Sequence, residues 1–279
     1  MCLIRSPELP AFLSCRLGED SRSFRVSMLV PPDEILRSFG RTPLSVASPM
    51  AYWDVQPAAE TLAERLAAVR ARMQGAAERA HRDPAGITLL AVTKVFPAEV
   101  IRQAYALGLR EFGENYVQEF AAKAPQVRDL AGARFHLIGH LQSNKSGLAA
   151  ELFDGIQTVD SPKLAHRLES AGRKLEVMLE IKLSGETAKS GADPAALPEL
   201  IAAVRECSHL TLTGLMTMPP WSDDPEAARP HFRRLRELAE RHGLSGLSMG
   251  MSHDLETAIE EGATCVRVGT ALFGARRRE

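Results

Sequence analysis

Short apolar runs alternate with longer amphipathic stretches along most of this chain. The runs are rich in Val, Ile and Leu, as buried parallel strands are, and the stretches repeat apolar residues at helical spacing. The pattern predicts eight strands, at residues 87–93, 110–112, 134–138, 155–159, 176–183, 210–217, 246–248 and 264–268. It predicts helices between them, for example at residues 97–107, 162–171 and 225–241. Asp224 can cap the last of these helices and Gly243 can end it.

Eight strands that alternate with helices predict a parallel sheet closed into a barrel. An open doubly wound sheet would also alternate, but one that bound a dinucleotide would carry G-x-G-x-x-G after its first strand, and that motif is missing there. We therefore predict a single (β/α)8 TIM barrel of the α/β class, whose active face is the C-terminal end of the strands. An extra helix precedes it, where Leu62, Leu66, Val69 and Met73 recur at helical spacing and Pro57 suits the first turn.

Residues 1–50 lack this patterning. Prolines and serines interrupt every candidate period, so we expect an irregular or disordered extension there, followed by one barrel domain over residues 51–279. The extension can be a flexible arm, or translation can begin at Met28 or Met50. The second interpretation is favoured, because the extension has no periodic apolar face to bury.

Composition narrows the class of protein. With 279 residues, 45% of them hydrophobic and 25% charged, the chain is typical of globular proteins and unlike disordered or fibrous ones. A formal net charge of -1 disfavours a nucleic-acid partner, and no apolar run approaches the roughly 18 residues that cross a bilayer. The four cysteines, Cys2, Cys15, Cys207 and Cys265, are too scattered for a zinc site or a disulfide framework. We expect a cytoplasmic protein with neither a membrane nor a nucleic-acid partner.

Two predicted strand ends carry polar side chains that suit chemistry at the barrel mouth. The first strand ends in Thr93-Lys94, where partial loss of hydration favours the neutral, nucleophilic amine; a lysine that only reaches towards solvent is the plainer interpretation. The second strand is followed by Glu114 and Asn115. Asn115 can bind a ring substituent and Glu114 can orient a lysine, or the segment is a turn with Asn115 in the left-handed conformation.

Two other motifs are excluded as sites. His136 and His140 have a spacing that suggests a metal, but a strand rises about 3.3 Å per residue and places them roughly 13 Å apart. Lys189-Ser190 resembles the end of a nucleoside-triphosphate loop, which requires glycine before the lysine, whereas Ala188 stands there. A loop lysine near the mouth remains from this segment.

The strongest local signal lies at the last two strand ends. The seventh strand leads into Gly250 and Ser252, and the eighth ends in Arg267, Gly269 and Thr270. Barrels often bind phosphate with these two loops, through backbone N–H groups at a helix N-terminus. The glycines allow close approach of the backbone and the two hydroxyls can donate, so a phosphate site is favoured over ordinary turns beside a core ion pair of Arg267.

A reactive lysine that faces a monophosphate site suggests pyridoxal 5′-phosphate (PLP), whose aldehyde forms a Schiff base with lysine. An aldolase, in which Lys94 attacks a sugar-phosphate carbonyl directly, uses the same parts. Absorption of visible light by the purified protein distinguishes the two.

The sequence also resembles the pyridoxal phosphate homeostasis family, known as YggS or PROSC proteins. The resemblance covers residues 61–274 and is carried by LLAVTKVFP, FGENYVQEF, FHLIGHLQSNKS, LSGETAKSG, GLMTMPP and SMGMSHDLETAIEEGATCVRVGTALFG. It implies a single barrel of the alanine-racemase N-terminal-domain type that binds PLP covalently. It further implies that Lys94 holds the aldehyde. By the same resemblance, the phosphate lies at Ser252, Gly269 and Thr270, the pyridine nitrogen faces Arg267, and Asn115 lies near the ring.

The resemblance implies a role in intracellular PLP homeostasis without established catalysis, and PLP-dependent apoenzymes as recipients. We expect a monomer with no catalytic residues. The alternative is a slow PLP-dependent amino-acid racemase that uses Tyr116 or His140. Against efficient catalysis, Arg267 stays protonated and makes the ring a weaker electron sink than a carboxylate would. The chain also ends at Glu279, where the resembled racemases continue into a second domain.

Overall fold

The computed structural model describes residues 60–184 and 190–274, together with the backbone of three short strands near the N-terminus. The chain divides into two compact units, Met1–Pro57 and Ala58–Glu279. In the first unit, β1 (Leu3–Ile4), β2 (Leu13–Leu17) and β3 (Phe24–Met28) form an antiparallel sheet in that order. These strands differ from the irregular structure expected there, because LSCRL and FRVSM alternate apolar and polar residues with the strand period. The rest of the expected extension lies outside the described residues and stays a prediction.

The second unit contains a closed barrel of eight parallel strands, which confirms the predicted fold class. The strands are β4 (Thr88–Val92), β5 (Glu111–Glu114), β6 (Arg134–Leu137), β7 (Gly155–Val159), β8 (Leu175–Glu180), β9 (Leu210–Met216), β10 (Gly246–Met251) and β11 (Cys265–Val268). Consecutive strands are neighbours, and β11 pairs with β4 to close the barrel. Their carboxyl ends therefore meet at one end of the barrel, which we call the mouth.

Helices separate the strands. They are α1 (Leu62–Arg79), α2 (Ala98–Ala106), α3 (Val117–Lys123), α4 (Ser146–Leu152), α5 (Pro162–Glu169), α6 (Leu197–Arg205), α7 (Arg229–Arg241), α8 (Leu255–Glu260) and α9 (Thr270–Phe273). No helix in the described part of the chain is both long and apolar enough to cross a membrane.

Helix α1 is the predicted extra helix before the first barrel strand. The Thr61 hydroxyl accepts from the Glu64 N–H at 3.2 Å, and the Glu64 carboxylate accepts from the Thr61 N–H at 2.8 Å. This reciprocal capping satisfies two helix-end donors and starts the helix at Leu62. The expected first turn at Pro57 is therefore wrong as the helix start, and Pro57 itself lies outside the described residues.

Helix α7 is shorter than the predicted helix over residues 225–241. A 3₁₀ turn, Pro225–Ala228, comes first and is capped by Asp224, whose carboxylate accepts from the Glu226 N–H at 3.0 Å. Pro230 in the first turn of α7 has no N–H to donate, so continuous helical bonding begins only there. Gly243 follows the helix with φ 65°, the left-handed conformation expected of it.

At the mouth, the fifth barrel strand ends at Glu180 instead of at residue 183, and two other predicted strand ends move forward. The second barrel strand continues to Glu114, because Gly113 and Glu114 still pair with β6. The seventh continues to Met251, through a register shift against β11 between Ser248 and Met251. Both extensions lengthen the strands that carry the predicted site.

Aromatic packing fixes α3 against the barrel. The ring of Phe120 lies 4.7 Å from that of Phe135 and 4.9 Å from that of Phe153, measured between centroids, and Phe112 lies 5.6 Å from Phe135. Phe112, Phe120 and Phe153 are fully buried. Because such rings bury large areas, α3 has a well-defined position beside the mouth.

Candidate functional site

Four consecutive strands of the barrel carry the six predicted site residues. Ser252 follows β10; Arg267 lies in β11, with Gly269 and Thr270 directly after it. Lys94 follows β4 by two residues, and Asn115 follows β5. Since these strands are neighbours in a parallel barrel, the fold brings all six residues to one side of the mouth.

A hydrogen bond joins the two loops predicted to hold phosphate. The Ala271 N–H, in the first turn of α9, donates to Ser252 Oγ at 3.2 Å. Ser252 and Gly269 are half-buried and Thr270 is exposed. The Leu272 N–H donates to the Gly269 carbonyl at 2.9 Å, so the donors that this turn offers to an anion are chiefly the hydroxyls of Ser252 and Thr270, beside the N-terminal end of α9.

Gly250 has a more specific role than the sequence indicated. It takes φ 89°, and a Cβ there would lie 2.4 Å from Ala258 Cβ in α8. The close approach is therefore to a helix of the barrel, and only glycine permits it. The loop is fixed further by Asp254, whose carboxylate accepts from the Met251 N–H at 2.6 Å.

Arg267 lies inside the barrel below this turn, only 3% exposed. Its Nη1 donates to Ser248 Oγ at 2.8 Å and its Nη2 to the Thr217 carbonyl at 2.9 Å. Ser248 Oγ in turn donates to Gln157 Oε1 at 2.6 Å. Burial lowers the pKa of Arg267 from its ordinary value, and nearby anionic groups oppose that change. Both acceptors named here are neutral and a guanidinium has five N–H groups, so donors remain for a ligand.

Lys94 occupies a tight turn at the end of β4 and is half-buried. The Phe96 N–H donates to the Thr93 carbonyl at 3.1 Å, which makes Lys94 and Val95 the central residues of the turn. Glu114, which the sequence suggested could orient a lysine, accepts from Lys123 Nζ at 2.7 Å and from Thr93 Oγ1 at 2.8 Å. The Glu114 carboxylate therefore binds Thr93, the first residue of the turn that contains Lys94, and links it to Lys123.

Asn115 is not in the left-handed conformation, so the alternative interpretation as a left-handed turn residue is wrong. The non-glycine residues with positive φ in the described ranges are His81 and Val95. Gly139, after β6, packs so closely that a Cβ there would lie 2.2 Å from the Asn115 carbonyl oxygen. The backbone at Asn115 is therefore fixed by the neighbouring loop.

The two histidines weighed as metal ligands contact different carboxylates. His136 Nε2 lies 2.5 Å from Glu111 Oε2, and His140 Nδ1 lies 3.9 Å from Asp160 Oδ2. Within residues 60–184 and 190–274, no group of three or more His, Cys, Asp or Glu side chains could hold a metal ion. Lys189 lies outside the described residues.

Glu180, which ends β8 at the mouth, was not among the site residues predicted from the sequence. Its side chain is buried, and Oε2 has no hydrogen-bond partner among the described residues. Burial raises the pKa of Glu180 to about 7; the charge of Asp160 adds to the increase and Arg267 opposes it. An acidic residue at the end of the apolar run LEVMLE was the available signal.

Comparison with known proteins agrees with this geometry. The family model for the alanine racemase N-terminal domain matches residues 65–277. The pyridoxal phosphate homeostasis protein of Pseudomonas aeruginosa is 50% identical over 222 residues, which cover 77% of this chain and 96% of the relative. That of Escherichia coli K12 is 45% identical over 226 residues, which cover 77% of this chain and 97% of the relative.

Solved structures give the same result. PipY of Synechococcus elongatus, solved with PLP bound, matches with a TM-score of 0.68 at 40% identity and covers 77% of this chain and 100% of its own. Alanine racemase of Corynebacterium glutamicum shares the fold, with a TM-score of 0.55 at 21% identity over 76% of this chain and 61% of its own. The chain therefore belongs to the pyridoxal phosphate homeostasis protein family, on a barrel of the alanine racemase N-terminal-domain type.

Proposed function

We propose that this protein binds PLP at the mouth of the barrel and takes part in intracellular PLP homeostasis. The proposal is carried by one observation: the turn that contains Lys94, after β4, lies next to the turn at Gly269 and Thr270, after β11. Strand β11 pairs with β4, with Val268 opposite Ala91. A Cβ on Gly269 would lie 3.4 Å from Val92 Cβ, two residues before Lys94. The relative solved with PLP bound supports the same ligand.

The side chains at the mouth suit the three chemical parts of PLP. The Ser252 and Thr270 hydroxyls can donate to a phosphate, and the bond from the Ala271 N–H to Ser252 Oγ holds their two loops together. Arg267 keeps N–H groups that can donate to the pyridine nitrogen, and Lys94 supplies an amine for covalent linkage. Asn115, fixed against Gly139, is the neighbour we assign to the ring.

PLP, when bound, supplies an aldehyde that a lysine amine can hold covalently and a ring that can act as an electron sink. Arg267 would orient the ring nitrogen by donating a hydrogen bond to it, and a guanidinium offers donors only, so it would not take up a proton from the ring. The protein therefore favours storage of the cofactor over chemistry on it. PLP-dependent apoenzymes are the recipients that we propose.

A titration with PLP tests the proposal. The chain should gain visible absorbance that saturates with PLP, and Lys94→Ala should lose it, because the chromophore depends on the covalent linkage. Lys163→Ala, on α5 away from the β4 turn, is the matched control and should behave as the parent chain does. Absorbance that persists unchanged in Lys94→Ala would reject the assignment of Lys94.

A slow racemase is the second candidate, favoured by the fold shared with alanine racemase and by two exposed side chains near the mouth. Tyr116 is 57% exposed after β5, and the His140 side chain is 54% exposed after β6. We expect incubation with L-alanine in heavy water to leave the α-hydrogen almost unexchanged. Exchange at ordinary enzymatic turnover, detected by mass spectrometry, would favour the racemase; its loss in Tyr116→Phe or in His140→Gln would identify the base.

A further inference from the structure

The turn that carries Lys94 is strained. Val95, the residue after Lys94, takes φ 63° and is 53% exposed. A positive φ at the third position of a β-turn is normally supplied by glycine, and for a β-branched residue it is a genuine outlier. Such a conformation persists only where the surroundings determine it.

Three charged side chains provide those surroundings. Glu119 Oε1 accepts from the Val95 N–H at 2.6 Å. Lys123 Nζ donates to the carbonyls of Thr93 and Phe96, each at 3.1 Å, and so holds both ends of the turn. We call Glu114, Glu119 and Lys123 the turn clamp.

The turn clamp is joined internally as well. Lys123 Nζ lies 2.7 Å from Glu114 Oε1 and 2.8 Å from Glu119 Oε1. The Lys123 side chain is 8% exposed and that of Glu114 is fully buried. Burial nevertheless raises the pKa of Glu114 above its ordinary value, against the opposing charge of Lys123. Burying charge is costly, so these contacts with the turn are kept against a desolvation penalty.

The turn clamp rests on a rigid support. Glu119 and Lys123 lie one helical turn apart on α3, and Phe120 between them packs against Phe135 in β6 and Phe153 directly after α4. Glu114 ends β5, beside β4. Motion of α3 or β5 relative to Lys94 is therefore restricted by the core.

From these contacts we infer that Glu119 and Lys123 are positioning residues, which hold the strained Thr93–Phe96 turn so that the Lys94 amine is presented to an aldehyde at the mouth. The inference rests on the proposed function. In the step concerned, Lys94 Nζ forms a C=N bond with the aldehyde carbon, and the aldehyde oxygen leaves as water with the two amine hydrogens. A displaced amine slows this step without weakening the phosphate contacts, which belong to other loops.

Two ligands separate positioning from simple structural support. PLP reports covalent attachment, measured as the rate at which borohydride-trapped adduct accumulates at Lys94. Pyridoxamine 5′-phosphate has the ring and phosphate but no aldehyde, and its affinity is measured by calorimetry. Glu119→Ala should slow attachment roughly tenfold and leave pyridoxamine 5′-phosphate affinity within about twofold. Glu119→Gln keeps an acceptor for the Val95 N–H and should recover most of the rate; Gln118→Ala, exposed on the same helix, is the control.

A glycine variant tests the strain itself. Glycine adopts positive φ without steric cost, so Val95→Gly combined with Glu119→Ala should attach PLP close to the parent rate. An attachment rate in Glu119→Ala equal to that of Gln118→Ala would overturn the inference. So would an equal loss of pyridoxamine 5′-phosphate affinity, or a double variant as slow as Glu119→Ala alone. Absence of adduct at Lys94 in the parent chain would instead reject the proposed function, and the inference with it.

Discussion

Glu180 shows how one buried side chain can make the barrel mouth sensitive to pH. Its carboxyl lies at the end of β8, near Asp160 and Arg267, and burial raises its pKa to about 7 from an ordinary 4.5. The folded protein therefore keeps a proton between those values that the unfolded chain releases. The stabilising contribution of the protonated carboxyl is complete below about pH 4.5 and is lost as the pH rises through about 7.

Glu180→Gln removes this dependence, because the amide stays neutral. The free energy of unfolding of the variant, relative to the parent chain, should rise between pH 5 and pH 8 by up to about 3 kcal/mol. Chemical denaturation at the two pH values measures the change. Glu176→Gln, on the same strand with a side chain 44% exposed, is the control and should show little of it. A pH-independent difference for Glu180→Gln would show that its carboxyl is ionised throughout this range.

At the scale of elements, the loops after β10 and β11 act together. The bond from the Ala271 N–H to Ser252 Oγ couples them, and Gly250 seats the first loop against α8. A hydroxyl that accepts from one loop can still donate to an anion held between both. Binding of phosphate should therefore depend on hydroxyls from either side.

Replacing Ser252 or Thr270 with Ala should weaken PLP binding roughly tenfold or more, since each change removes a charge-assisted hydrogen bond worth about 1.5–3 kcal/mol. Thr88→Ala, an exposed threonine at the opposite end of β4, should leave affinity unchanged. Equilibrium titration with pyridoxamine 5′-phosphate isolates the phosphate contribution. Unchanged affinity in the double variant would place the phosphate elsewhere.

Local patterns predicted the strand order, and the six proposed site residues lie at or beside the ends of those strands; the contacts with PLP assigned to them stay a prediction. Lys94, Ser252 and Gly269 each lie within two residues of the end of a strand, which is where a parallel barrel places its functional groups. The turn clamp was not predictable in the same way. Glu119 and Lys123 reach Val95 and Thr93 across 24 and 30 residues, and only the packing of α3 against the barrel brings them together.

The sequence contained the signal for one feature that we predicted wrongly, the start of α1. Thr61 and Glu64 form the T-x-x-E pattern that starts a helix, and it identifies the beginning of α1 better than Pro57 did. The neutral or charged state of Glu180 was not readable, because it depends on burial between neighbouring strands and on the distant Asp160. Local sequence patterns thus predict where an element begins, whereas the protonation state of a buried side chain depends on tertiary packing.

At the scale of the whole molecule, the barrel unit contains a continuous core of its own. The buried core cluster described for this chain runs from Leu66 to Leu272, within Ala58–Glu279. Matches of about 225 residues cover 97% or more of the relatives from Aquifex aeolicus and Escherichia coli K12. The matched residues of this chain therefore correspond to nearly the whole length of these relatives.

Removal of residues 1–49 should leave folding and ligand affinity intact. We expect the shortened chain, starting at Met50, to melt within a few degrees of the full chain and to bind PLP with the same affinity. Calorimetric melting and the PLP titration, run on both chains side by side, measure this. Precipitation, or a melting temperature lower by ten degrees or more, would show that the first unit contributes to the stability of the second.

Chemical trapping at Lys94 tests the proposed function most directly. The full-length protein is loaded with PLP, reduced with borohydride, digested and analysed by mass spectrometry. The reduced cofactor should be found on one peptide, with its mass on Lys94 in the sequence LLAVTKVFP, and Lys94→Ala should yield no labelled peptide. Labelling of another lysine in the parent chain, or an undiminished label in Lys94→Ala, would contradict the assignment of Lys94 as the residue that holds PLP.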